Sequence, residues 1–173
     1  MKQLIMSVSD FEDLKTIALF KEFNLLIKQD FLTKEQLIKI LRWKSPRPLN
    51  YYLTNSEEEI KEITKLAFST ENDKLKIHIL SALKGVNYPS ASAVLMFYNP
   101  KIYPVLDIRV WRQLYSIGLV DTNPLGQNFT LKECEKFYQV IRELASNLNL
   151  TARQVEKRIF DYDKMNQKGN LYK

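Results

Sequence analysis

Two features of the stretch 80–111, LSALKGVNYPSASAVLMFYNPKIYPVLDIRVW, have residue types and spacing suited to work on a phosphate-bearing partner. The first is Lys84-Gly85-Val86-Asn87 with Pro89 close behind. Gly85 sits where a helix needs a left-handed residue to stop, Asn87 is the non-glycine type that best tolerates the same region, and Pro89 suits the first turn of a new helix. The pattern predicts a helix-hairpin-helix over 80–98. Such a turn leaves backbone N–H groups unpaired ahead of the positive end of its second helix, where they can receive a phosphate oxygen. The second feature is Asp107, a lone acid in the otherwise apolar run Val105-Leu106-Asp107-Ile108. It follows the extended Tyr103-Pro104-Val105 and opens an apolar helix, so one reading is an N-cap. The other is a carboxylate that, 22 residues beyond Gly85, shares a cleft with the hairpin and with whatever the hairpin holds.

These residues resemble the helix-hairpin-helix (HhH-GPD) DNA glycosylase superfamily, which includes endonuclease III, the adenine glycosylase and the 8-oxoguanine glycosylase. The family's hairpin runs leucine, proline, glycine, valine, glycine, two variable positions, a small residue and alanine, with a catalytic aspartate at the next helix boundary. Leu83, Gly85, Val86, Ser90 and Ala91 match the hairpin, and Asp107 with Ile108, Arg109, Val110 and Trp111 is similar to the aspartate segment, placed here at 103–117. The likeness is close over about 30 residues. Lys84 replaces the proline and Asn87 the second glycine, while Pro89 stands where bifunctional members carry a Schiff-base lysine. The resemblance therefore implies a monofunctional hydrolase of base excision repair, with Asp107 catalytic, Lys84, Gly85, Val86, Asn87 and Ser90 on the DNA, and neither cofactor nor metal. The string Arg42-Trp43-Lys44-Ser45-Pro46-Arg47 is also similar to one in a group of short proteins sharing this fold.

Elements that must position these residues are helical by every local sign. The 173 residues hold only four glycines and six prolines, few for a sheet protein, and apolar residues recur at three- and four-residue spacing. An all-α, compact, single helical domain over 1–173 is expected. With 26 basic against 20 acidic side chains, the net charge of +6 favours a polyanion partner. One cysteine, Cys134, can supply neither a disulfide nor the four-thiolate iron–sulfur site of endonuclease III relatives, and reads as a buried residue. No run of about 20 apolar residues is present, so no membrane span is expected. The expected setting is reducing and cytoplasmic, with DNA as partner and the chain a monomer.

Along the chain, Ser9 with Glu12 reads as a capping box opening one long helix from Asp10 to about Asp30 that packs on two sides. Thr33 with Gln36 opens a second, ending in the cationic knot Arg42, Trp43, Lys44 and Arg47. That knot is either a solvated helix terminus or a nucleic-acid contact that pairs phosphates and stacks an indole, in which case all four side chains lie on the hairpin's face. Asn55 is expected to cap a helix over 56–68, and another from about Glu71 carries the single histidine, His78, read as a surface or packing residue. The helix 90–98 is apolar nearly all round and marks the centre, with Ser90 and Ser92 capping it or bonding back. Helix 107–117 buries Trp111 and offers Arg109 and Arg112 as phosphate anchors, and 121–129 forms the longest polar loop. Capping boxes Thr130–Glu133 and Thr151–Gln154 open the last two helices, and a frayed tail begins at Asn166.

Three functions are open at this point. One is hydrolysis of an N-glycosidic bond on a flipped base; a second is a hairpin that holds nucleic acid without chemistry; a third is a helical interaction domain that keeps the fold alone.

Overall fold

The structure, a computed structural model, describes residues 1–9, 11–24 and 26–167 and contains no strand among them. Its helices are α1 (Lys2–Ser7), α2 (Leu14–Glu22), α3 (Lys34–Lys44), α4 (Leu49–Leu53), α5 (Glu57–Ser69), α6 (Asp73–Leu80), α7 (Tyr88–Tyr98), α8 (Ile108–Ser116), α9 (Leu131–Leu148) and α10 (Ala152–Asn166), with a 3₁₀ turn at Leu26–Lys28. The fold is all-α.

Helix starts follow local chemistry. Thr33, Thr130 and Thr151 form the expected capping boxes, each side chain accepting an amide three residues on while that residue's Gln or Glu accepts the cap's own amide. A fourth box belongs to Ser56 with Glu59, so Asn55 is not the cap of α5. The Ser9–Glu12 box does not form. Glu12 is drawn instead into a two-pronged ion pair with Arg153 of α10, at 2.7 and 3.0 Å, and Asp13 caps α2. The single first helix expected from Asp10 to Asp30 is thus two shorter elements, α2 and the 3₁₀ turn, and it does not pack on two sides, since Phe11 and Leu14 are exposed. Asp10, Leu25 and the expected tail beyond Gln167 lie outside the described residues, while Asn166 itself ends α10.

α7 is the buried axis. Ser90 to Phe97 are all buried, and α3 and α6 pack against it. At about 1.5–3 kcal/mol for each large apolar side chain removed from water, Val94, Leu95, Met96 and Phe97 make this helix a large contributor to stability. α8 lies against α10, with Trp111 fully buried, its ring edge-on to Phe129 and its indole N–H donated to the Asn123 carbonyl at 2.8 Å. The loop 119–129 is thereby tied to α8, and Gly126 (φ +63°) approaches so closely that a Cβ would press on Ile108 and Trp111 at 3.3 Å.

Cys134 is buried, and burial pushes its thiol up to about 12. His78 bonds its Nδ1 to the Tyr88 hydroxyl at 3.1 Å, a packing role. Among the described residues no helix is long and apolar enough to cross a membrane.

Candidate functional site

The hairpin between α6 and α7 is built around Gly85. Its φ of +82° is left-handed, and a Cβ there would lie 2.8 Å from Tyr51 Cβ and 3.0 Å from the Tyr52 ring, so α4 packs directly on the glycine. Leu83 and Val86 are buried and anchor the turn, with the Val86 amide bonded to the Leu83 carbonyl at 3.0 Å. Asn55, itself buried, clamps the loop from below. Its Oδ1 accepts the Lys84 amide at 2.7 Å and its Nδ2 donates to the Lys84 carbonyl at 3.1 Å. Asn87 is not left-handed as expected: it is extended, and its side chain caps α7 by accepting the Ser90 amide at 3.0 Å. Among the described residues the amides of Gly85 and Asn87 have no protein acceptor, which leaves two donors at the hairpin tip.

Asp107 is positioned by the extended segment before it. The Leu106 amide donates to Ser92 Oγ at 2.8 Å and the Val105 amide to Glu156 Oε2 at 3.3 Å, so the segment is fastened to α7 on one side and α10 on the other. The Asp107 carboxylate then caps α8 through the Arg109 amide at 3.0 Å and receives the Lys44 ammonium at 2.7 Å. Burial pushes its pKa up, but the charge and hydrogen bond of Lys44, with the Arg109 amide, outweigh that and hold it below the ordinary carboxylate value.

Asp107 and the hairpin share one cleft. A cavity of about 470 Å³ is bordered by Asp107, Lys44 and Arg47 with Asn87, Pro89 and Ser90, and closed by Gly126 to Phe129. Lys44 and Asp107 also border a second cavity of about 450 Å³, which is lined by Trp43, Arg153, Glu156 and Phe160. The ion pair is common to both spaces.

The remaining expected site residues divide. Lys84 is exposed at the hairpin, whereas the Val86 side chain is buried, leaving that residue to act only through its backbone. Ser90 is buried on the cleft wall with its hydroxyl 3.5 Å from that of Tyr52. Of the cationic knot, Lys44 and Arg47 line the cleft, but Arg42 is exposed elsewhere on α3 and Trp43 turns inward. The Trp43 indole donates to Thr16 Oγ1 at 2.8 Å, its ring meets Phe97 edge-on and Arg153 lies over it, so it is a packing wedge rather than a stacking platform. Arg109 is bound to Asp163 at 2.8 Å and Gln167 at 2.6 Å and ties α8 to α10, not to phosphate. Arg112 braces the loop through the Leu125 carbonyl at 2.9 Å.

Ser92 bonds back to the Pro89 carbonyl as expected, but its hold on the Leu106 amide, the grip of Asn55 on Lys84 and the part of Glu156 escaped the sequence reading. Asn55 left a local sign of its second role: the complete Ser56–Glu59 box beside it makes it redundant as a cap. Among the described residues no cluster of His, Cys, Asp or Glu is arranged to hold a metal ion. No protein-family model matches this chain, and neither a curated protein nor a solved structure gives a significant match.

Proposed function

We propose that this protein binds DNA through its hairpin and removes a damaged or mispaired base by hydrolysing the N-glycosidic bond, as a monofunctional glycosylase. The observation that carries the reading is the shared cleft, which sets Asp107 beside Asn87, Pro89, Ser90, Lys44 and Arg47. The free amides of Gly85 and Asn87, with Lys84 and Arg47, would take backbone phosphates. A base inside a duplex is out of reach, so the nucleotide is flipped into the cleft. Its departure leaves positive charge on the sugar. The Asp107 carboxylate, held in its ionised form, stabilises that charge and orients the attacking water, work that an ionised carboxylate can do without a cofactor.

A hairpin that grips DNA without chemistry is the second reading. It is favoured by the double engagement of Asp107 as cap of α8 and partner of Lys44, which gives the carboxylate a structural purpose of its own. The deciding experiment incubates wild type and Asp107→Asn with a panel of damaged and mispaired duplexes, followed by alkaline cleavage. Strand breaks from wild type alone support the glycosylase, while binding with no breaks from either leaves the grip only.

A further inference from the structure

A cavity of about 680 Å³ opens between α6 and α9 and shares no residue with either space beside Asp107. Cys134, Tyr138 and Arg142 recur at four-residue spacing on α9 and so line one face, opposite Asp73 and Ile77 of α6. That face holds two buried polar atoms without a protein partner, the Tyr138 hydroxyl and Nη2 of Arg142. The rest of the guanidinium is engaged: Nε donates to the Ile102 carbonyl at 2.7 Å and Nη1 to Asp73, whose other oxygen accepts the Tyr103 hydroxyl at 2.7 Å. Tyr138 is only 3% exposed, and the groups that act electrostatically on its hydroxyl include Cys134, Arg142 and Asp73, all of which line this cavity. Burial holds the phenol well above its ordinary pKa, so it keeps its proton and can donate. A buried donor left unmet carries its full desolvation cost, and here both open towards a space that a guest can enter.

We infer that the cavity between α6 and α9 is a binding site for a small neutral cyclic amide or urea, a ring that carries a carbonyl beside an N–H. The carbonyl accepts from Tyr138 and Arg142. The guanidinium lies 5.3 Å from the centre of the Tyr138 ring, so both donors fall within the span of one such molecule. Glu135 and Glu143 stand exposed at the rim, and among the described residues each keeps one carboxylate oxygen without a protein partner, ready to accept the ring N–H. Ile77 and the protonated Cys134 thiol supply an apolar wall for the ring. Charge selects against an anion, because Asp73, Glu135 and Glu143 outnumber Lys74 and Arg142 around the cavity. The volume falls within the range of about 300–1,000 Å³ usual for small-molecule sites. Neither Asp107 nor the hairpin takes part, so the inference stands apart from the proposed function.

The test titrates benzimidazolone, a neutral cyclic urea with one carbonyl between two N–H groups, into the full chain and follows calorimetry and amide NMR shifts. Wild type should bind with a Kd of about 1 mM or tighter, and the shifts should gather in α6 and in the face of α9 from Cys134 to Arg142. Tyr138→Phe keeps the ring and its packing but removes the donor, and affinity should fall about three- to tenfold. The N,N′-dimethyl derivative, which has no N–H, and a ring-carboxylate derivative, which adds negative charge, should both bind more weakly than the parent. No binding by wild type overturns the inference and assigns the two donors to water alone. Equal affinity of Tyr138→Phe, or shifts confined to the Asp107 cleft, overturns the site, and tighter binding of the carboxylate derivative overturns the ligand class.

Discussion

Asn55 holds both backbone groups of Lys84, accepting its amide at 2.7 Å and donating to its carbonyl at 3.1 Å, across 29 residues of sequence. One buried amide therefore shapes the tip of the hairpin from α4's end. Asn55→Ala leaves those groups without their partner and should lower stability by about 1–3 kcal/mol. It should also weaken DNA retention at low salt, as a less ordered tip presents its amides poorly. Urea denaturation and a binding titration on the folded variant check the two effects separately.

Gly85→Ala is expected to destabilise through two independent causes, the positive φ and the 2.8 Å approach of Tyr51 Cβ, with a combined cost of about 1–3 kcal/mol or more. A substitution at Gly85 is consequently a poor probe of phosphate contact. An unchanged urea midpoint for Gly85→Ala would contradict the close packing of α4 on the turn.

Lys84→Glu is the cleaner probe, because the side chain is exposed and Asn55 binds only the backbone. DNA affinity should drop, and the slope of log K against log salt should become shallower by about 1, the signature of a lost phosphate contact. Equal slopes for both proteins would take the hairpin off the interface.

Much of this arrangement is local enough to read from sequence. The capping boxes at Thr33, Thr130 and Thr151, the apolar centre of α7, the left-handed Gly85 and the capping role of Asp107 all follow from residues a turn or less apart. What escapes depends on distant partners. Glu12 leaves Ser9 for Arg153, 141 residues on, and the same side-chain reach turns Arg109 towards Asp163 and Trp43 towards Thr16. A cation on a helix surface can be counted from sequence, but its direction belongs to the neighbour it finds.

Asp107→Asn should slow excision by about 10²–10³-fold while DNA binding persists, the loss expected when a charge that stabilises the developing positive charge is removed. Equal excision by wild type and variant would remove the carboxylate from the reaction.

The same variant has a pH signature. The folded pKa of Asp107 lies below its unfolded value of about 3.9, so its contribution to stability is full above that value and is lost as pH falls through the folded pKa. The stability difference between wild type and Asp107→Asn should stay level near neutrality and shrink below about pH 4. Urea titrations from pH 7 to pH 2 measure it, and a gap that widens in acid would reverse the assigned sign.

The Ser92 hydroxyl donates to the Pro89 carbonyl and accepts the Leu106 amide, both at 2.8 Å, in a fully buried position. It thus joins the first turn of α7 to the strand-like segment that ends in Asp107. Hairpin and carboxylate are held at one spacing, like the two jaws of a caliper locked at a single setting. Ser92→Ala would cut that lock without touching either jaw. A ligand seated at the hairpin then meets a carboxylate whose offset is no longer set by the protein.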